Sequence, residues 1–179
     1  MKIALRSTII IILSISMFLG LCSCRMKESY KEFNIKNITG NMDEDYFTSE
    51  NFAFARLQDV VIIPEIKAIN HSEYIIYLSV YSKTGEEDVQ INSVLFREKE
   101  TVLLDRALNK IIEFEENSES IYEGWIDGGT FTGETLSVAD GKEYILVIEA
   151  EVTKNDVHVS KDVTYEIVVK GYKSFVLPT

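Results

Sequence analysis

The C-terminal part of the chain alternates apolar and polar residues with a period of two, and this pattern restricts the possible folds most strongly. The apolar residues that share one face of the first alternating segment are Tyr144, Leu146, Ile148, Ala150 and Val152. Those that share one face of the second are Val163, Tyr165, Ile167 and Val169. Successive side chains of a strand point to opposite faces of its sheet. The pattern therefore predicts two half-buried strands, joined across residues 153–161 as a long antiparallel hairpin.

Earlier parts of the chain contain further segments rich in β-branched and aromatic residues, which favour strands. These segments cover residues 52–57, 60–69, 73–82, 89–96 and 120–126, with turn signals between them. Pro64 lies in the second of them, and because proline lacks an N–H donor it predicts an edge strand or a bulge there. Recurring short strands without a long helix are typical of an all-β antiparallel sandwich.

Residues 98–114 fit two patterns. Leu104, Ala107, Leu108, Ile111 and Ile112 have helical spacing. The same stretch can form two short strands, 101–104 and 110–114, around a polar turn. Because every flanking segment favours β-structure, we expect strands.

The stretch Val138-Ala-Asp-Gly-Lys-Glu-Tyr144 resembles the corner before the sixth strand of fibronectin type III domains, in which an aliphatic residue lies six positions before a tyrosine. The resemblance implies an immunoglobulin-like antiparallel β-sandwich, with the tyrosine ring in the core and its hydroxyl bonded to nearby backbone. Asp140 departs from the family pattern, which usually has proline there. The lone tryptophan, Trp125, is also outside the expected early-strand context. Such folds host many activities, so the resemblance transfers no function.

The N-terminal segment has the features of a secretory signal peptide. Lys2 and Arg6 precede a run from Ser7 to Leu21 in which every residue is apolar or small. The run is shorter than the roughly 20 residues that span a bilayer comfortably. A basic start, a short apolar core and small residues at its end predict a cleaved signal peptide, with a transmembrane anchor as the alternative.

The end of this segment, Leu21-Cys22-Ser23-Cys24, resembles the lipobox of bacterial lipoproteins. In that class the chain is cut before a cysteine that carries diacylglycerol and a further acyl chain such as palmitate. The resemblance implies Cys24 as the lipidated residue, since the small Ser23 precedes it, whereas the bulky Leu21 precedes Cys22. Two or more acyl chains suffice for stable membrane anchoring.

The expected organisation is a signal peptide at 1–23, a polar tether at 24–50 and a β-sandwich domain at 51–179. By resemblance the protein is expected in the bacterial cell envelope, held to the membrane through its lipid. Because Arg25, rather than aspartate, follows Cys24, an outer-membrane location is favoured if the cell has two membranes.

Charge and motif content exclude several classes of function. The formal net charge is −11 at pH 7, and removing Lys2 and Arg6 with the signal makes it −13 by the same counting. Nucleic-acid partners need a basic footprint and are therefore not expected. His71 and His158 have no companion ligand at zinc-site spacing. No catalytic fingerprint, metal site or cofactor motif is present, so we expect neither an enzyme nor a cofactor. Carboxylate catalysis and calcium binding by the acidic runs at 43–45, 86–88 and 113–116 are the weaker alternatives.

Trp125 is the one candidate binding residue. In "IYEGWID", Tyr122, Gly124 and Ile126 share one face, and Ile121, Glu123 and Trp125 share the other. A glutamate is rarely buried without a partner. We therefore expect the face with Glu123 to be solvated and Trp125 to be exposed on it, beside the glycine-rich residues 127–133. The alternative is that Trp125 turns inward and closes the core.

Taken together, the sequence suggests a lipid-anchored binding or structural module of the cell envelope. Its partner would be an unidentified protein, peptide or glycan, bound through loops or an exposed sheet face. The runner-up is a periplasmic enzyme inhibitor or immunity-type lipoprotein.

Overall fold

The computed structural model describes residues 25–38, 45–70, 73–117, 121–126 and 136–176, with side chains between residues 31 and 172. The chain divides into two units, Met1–Tyr30 with Gly171–Thr179, and Lys31–Lys170. In the first unit, the described backbone is the start of the first strand and the end of the last one. Every side-chain contact, cavity and cluster described below lies in the second unit.

The strands within the described ranges are β1 (Arg25–Ile35), β2 (Arg56–Leu57), β3 (Val60–Ala68), β4 (Tyr74–Ser82), β5 (Asp88–Glu98), β6 (Thr101–Ile111), β7 (Glu115–Glu116), β8 (Tyr122–Ile126), β9 (Glu143–Lys154) and β10 (Val157–Val176). They form two five-stranded antiparallel sheets. Sheet A has the order β1-β10-β9-β5-β6, and sheet B has the order β2-β3-β4-β8-β7. The predicted all-β sandwich is confirmed.

One hydrophobic core collects the inward faces of both sheets. Sheet B contributes the alternate residues Tyr74, Ile76, Leu78 and Val80 of β4, all fully buried. Sheet A contributes the alternating faces of β9 and β10 that the sequence predicts, and each of their nine residues is buried. The Tyr144 ring stacks on Phe96 at 5.2 Å between centroids. The Tyr144 hydroxyl accepts the Ala139 N–H at 2.7 Å, which is the kind of backbone contact expected of it.

The β9–β10 hairpin is longer than the sequence suggests. Its partners run from Val157 opposite Lys154 to Val168 opposite Glu143. Asn155 and Asp156 connect the strands with positive φ values of 50° and 63°. Asn and Asp tolerate this left-handed conformation, which two-residue hairpin turns require. Thus β10 begins within the segment predicted to be a connection.

Pro64 lies at an open edge, as predicted, and β3 and β4 pair without a register shift there. The Ile69 N–H donates to the Glu73 carbonyl at 2.9 Å, so the odd-numbered residues of β3 bond to β4. The backbone N–H and C=O groups of the even-numbered residues then point to the other edge of β3, where β2 pairs only with Val60 and Val61. Pro64 brings no donor to this edge, and the Ile62 carbonyl accepts the hydroxyl of the buried Tyr165. Both features disfavour the pairing of this edge with a strand of another chain.

Residues 98–114 form neither a helix nor two strands. Lys99 adopts a positive φ of 51° in the turn after β5, and β6 then pairs with β5 as one strand, with register shifts between Ile91 and Ser93 and between Phe96 and Arg97. Leu104 is buried, whereas Ala107 and Ile111 are exposed. A helix would have buried all three on one face, but an edge strand needs only one covered side.

The segment preceding β3 differs most from the prediction. Strand β1 lies where a tether was expected, and its Phe33 and Ile35 pack against the core. The predicted strand at 52–57 is instead a 3₁₀ helix, Glu50–Ala55, followed by the two-residue β2. The Ser49 hydroxyl accepts the Asn51 N–H at 3.2 Å and caps this helix. Such local side-chain bonds compete with a strand ladder.

Candidate functional site

Strand β8 places Trp125 on the solvent side of sheet B. Gly124 and Ile126 face the core, and Trp125 is 57% exposed. Glu123 is half-buried on the same outward face. The predicted alternation of Gly124, Trp125 and Ile126 and the exposure of Trp125 are therefore confirmed, whereas Ile121, expected on the solvated face, packs against the core. The alternative in which Trp125 closes the core is wrong.

Two tyrosines of β4 flank Trp125 across the strand pair. Trp125 lies opposite Ser79, and Tyr77 and Tyr81 lie two residues away in either direction on the same face. Directly opposite side chains are about 5 Å apart and diagonal ones about 7 Å apart, within reach of aromatic rings. We call the surface formed by Tyr77, Tyr81 and Trp125 the aromatic face.

Tyr81 forms one side of the aromatic face. Its ring lies 4.9 Å from that of Tyr46. Burial and the nearby Glu123 carboxylate together raise the pKa of Tyr81 to about 12, although a hydrogen bond with Ser79 opposes them. The phenol is neutral at physiological pH.

Tyr77 forms the other side of the aromatic face, and a lysine ammonium lies over its ring. The Lys67 ammonium is 4.7 Å from the centre of the Tyr77 ring. The same ammonium pairs with the Glu65 carboxylate at 2.9 Å, and this hydrogen bond raises the pKa of Lys67. Lys67 is thus held over the ring as a cation–π pair.

A pocket of about 210 Å³ opens beside Trp125. We call it the Trp125 pocket, and its lining residues are Lys110, Ile111, Glu113, Glu115 and Trp125. Ile111 is 64% exposed, so two large apolar side chains meet the solvent here.

Gly124 allows the chain to build this pocket. After β6 the chain crosses from sheet A to sheet B, and the Ile112 N–H donates to the Val89 carbonyl at 2.9 Å. The crossing segment passes directly over Gly124. A Cβ there would collide with the Ile112 side chain and lie 2.7 Å from the Glu113 carbonyl oxygen. A residue without a side chain lets the crossing bring Ile111, Glu113 and Glu115 next to Trp125.

Two larger cavities lie elsewhere in the second unit. One, of about 530 Å³, lies between β1 and β3, with Phe33, Ile35, Pro64 and Ile66 among its lining. The buried Nδ2 of Asn34 has no hydrogen-bond partner beside it. The other, of about 380 Å³, is mostly lined by charged residues around Lys142 and Glu143. Neither cavity includes a residue that the sequence analysis selected for function.

The buried carboxylate of Glu87 has a structural role. Glu87 accepts hydrogen bonds from Lys154 Nζ at 2.7 Å, from Thr84 Oγ1 at 2.8 Å and from the Ser82 hydroxyl. Lys154 also pairs with Asp59 at 2.9 Å. Burial alone would raise the pKa of Glu87, but these hydrogen bonds lower it overall. The cluster ties together three connections at one end of the sandwich.

The remaining sequence candidates do not add to the site. His158 is exposed, and its Nδ1 lies 3.2 Å from the Thr153 hydroxyl. Cys24 with the signal segment, His71 and the residues 127–133 lie outside the described residues. Across the described ranges no three His, Cys, Asp or Glu side chains are arranged to hold a metal ion.

Trp125 could be identified from the sequence, whereas its pocket neighbours could not. Ile111, Glu113 and Glu115 reach Trp125 only through the crossing between sheets, which leaves no local sequence signal. The two tyrosines had such a signal, because Tyr77, Ser79 and Tyr81 alternate with buried residues.

No protein-family model, curated protein or solved structure matches the chain significantly. The 3₁₀ helix, six residues long, is the sole helix of the described part, and it could not cross a membrane.

Proposed function

We propose that this protein is a lipid-anchored binding module of the bacterial cell envelope. Its anchor would be Cys24, in the lipobox-like stretch Leu21-Cys22-Ser23-Cys24, with the outer membrane as its location where the cell has two. Its binding surface would be the aromatic face together with the Trp125 pocket.

One observation carries the choice of surface. Trp125 and Ile111, both more than half exposed, share a single pocket, with Trp125 on β8 of sheet B and Ile111 at the end of β6 of sheet A. Exposed apolar side chains that lie together mark interaction sites more often than single ones do, and tryptophan is enriched among the residues that dominate binding energy. Strand-borne side chains also lose little freedom on binding, which favours affinity.

The lone tryptophan permits a direct test. We expect acrylamide to quench Trp125 strongly in the isolated protein, with emission like that of indole in water. With 5-fluorotryptophan incorporated, its single ¹⁹F resonance should shift or broaden when a cell-envelope fraction from a strain lacking the protein is added. Trp125→Ala should leave the melting temperature unchanged.

A matched control moves the probe to the other sheet. Val102 on β6 is 53% exposed, close to the exposure of Trp125. In the double variant Trp125→Phe/Val102→Trp the fluorinated probe should not respond to the same fraction. An equal response at both positions, or none at Trp125, would refute binding through this surface.

A further inference from the structure

The surroundings of Trp125 carry an excess of negative charge. Glu113 and Glu115 line the pocket with a single lysine, Lys110. Glu116 lies on the neighbouring strand β7, and Glu123 lies two residues before Trp125 on β8. Within the described part of the chain, no Lys or Arg forms an ion pair with Glu113 or Glu115. In the sequence, residues 111–141 contain eight acidic residues and no lysine or arginine. The deficit of positive charge is therefore a property of the whole segment.

We infer that the occupant of this surface is a basic peptide segment of a protein partner, with a lysine or arginine in the Trp125 pocket and apolar side chains on the aromatic face. This inference rests on the proposed function and names its partner class. An indole ring attracts a cation to its face, and nearby carboxylates strengthen the attraction by direct pairing.

The same sheet face already contains an example of the contact. Lys67 lies over Tyr77 and pairs with Glu65, so one ammonium is held by one ring and one carboxylate. Trp125 with Glu113 and Glu115 offers the same combination, with the position of the ammonium open to a partner. Indole is the strongest of the aromatic cation acceptors.

Size and charge favour a peptide over other ligands. A pocket of about 210 Å³ suits one side chain, whereas drug-sized ligands occupy roughly 300–1,000 Å³. The formal charge of −11 disfavours anionic polymers. The strand row of Tyr77, Ser79 and Tyr81 gives an extended segment further contacts at its own two-residue spacing.

The test uses the Trp125 emission of the full protein and three short synthetic peptides. The first alternates lysine with threonine and phenylalanine, and the others carry glutamine or glutamate in place of each lysine. We expect only the lysine peptide to shift the emission maximum of Trp125 and to protect Trp125 from quenching by acrylamide. Its affinity should fall by about tenfold or more at about 1 M NaCl, where the Debye length is about 3 Å.

Variants identify the groups responsible. Glu113→Gln/Glu115→Gln should weaken the lysine peptide about fivefold, as expected for two surface ion pairs. The control Glu100→Gln/Asp105→Asn removes the same charge from exposed positions in the β5–β6 turn and on β6 and should change the affinity by less than about twofold. Trp125→Ala, followed by calorimetry, should weaken binding about thirtyfold.

The outcomes separate this inference from the proposed function. The inference is wrong if the glutamine or glutamate peptide binds as tightly as the lysine peptide, or if both double variants weaken binding equally. It is also wrong if a glycan, tetra-N-acetylchitotetraose, protects Trp125 from acrylamide quenching and the lysine peptide does not. In each of these cases the ¹⁹F response of Trp125 to the cell-envelope fraction can persist, and the proposed function then stands.

Discussion

Replacing Glu87 with glutamine is expected to destabilise the fold by about 3 kcal/mol. Breaking a buried ion pair costs about 3–5 kcal/mol, because it leaves an uncompensated charge. The lower end applies here, since Lys154 keeps its contact with Asp59 at 2.9 Å. Glutamine has nearly the same volume as glutamate, so the loss reports the charge and its hydrogen bonds rather than a cavity. Typical domains are stable by about 5–15 kcal/mol, which makes this a large fraction of the total.

Urea denaturation measures the change. With a slope of about 2 kcal/mol/M, a loss of about 3 kcal/mol moves the midpoint down by about 1.5 M. The matched control is Glu86→Gln, because Glu86 carries the same charge at the adjacent, exposed position. It should change the free energy of unfolding by less than about 0.5 kcal/mol. Equal losses in the two variants would refute a specific role for the buried cluster.

The contribution of Glu87 should depend on pH in one direction. Its folded-state pKa lies below the usual 4.5. Between the two pKa values the unfolded chain binds more protons, so the stabilisation is complete above about pH 4.5 and is lost as pH falls through the folded pKa. The difference in free energy of unfolding between the wild type and Glu87→Gln should therefore decrease at acidic pH. A difference that stays constant from neutral pH to about pH 3 would contradict this assignment.

Three further changes test other parts of the structure. Tyr144→Phe removes the hydroxyl that accepts a backbone N–H and should cost about 1 kcal/mol in urea denaturation; an unchanged midpoint would show that the corner does not depend on this bond. Gly124→Ala should cost about 1–3 kcal/mol by overpacking against Ile112 and should alter the emission of the neighbouring tryptophan; an unaffected protein would refute the crossing contact. Cys24→Ala should leave the precursor uncleaved and without the lipid mass in mass spectrometry, whereas Cys22→Ala should be processed normally; the reverse pattern would identify Cys22 as the lipidated residue.

The strand segments that could be predicted are those in which alternate residues are buried. From Tyr144 to Val152 in β9 and from Val163 to Val169 in β10 every second residue enters the core, so the period of two is visible in the sequence. Strand β6 lies at the edge of sheet A and buries little more than Leu104, so its pattern is too weak to separate strand from helix. Strand β1 lies at the other edge of sheet A, and it was missed because its mostly polar residues show no clear period of two.

The candidate site also has one part that could be predicted from the sequence and one part that could not. The exposure of Trp125 follows from its alternation with Gly124 and Ile126 and from the charge of Glu123, all within a few residues. The carboxylates of Glu113 and Glu115 reach the indole only because Gly124 lets another segment cross. Contacts of this kind depend on how the two sheets are connected, which local periodicity does not encode.

The neighbouring positions of β1 and β10 have a consequence for the order of folding. The β9–β10 hairpin closes through a two-residue turn, and isolated hairpins form in about 1–10 μs. Lys36, just after β1, donates its N–H to the Glu166 carbonyl at 2.7 Å, so the first strand needs a partner synthesised about 130 residues later. A chain emerging from its N-terminus exposes β1 unpaired until the hairpin is complete. We therefore expect sheet A to acquire its first strand last, and a chain truncated before β10 to leave β1 without its neighbour.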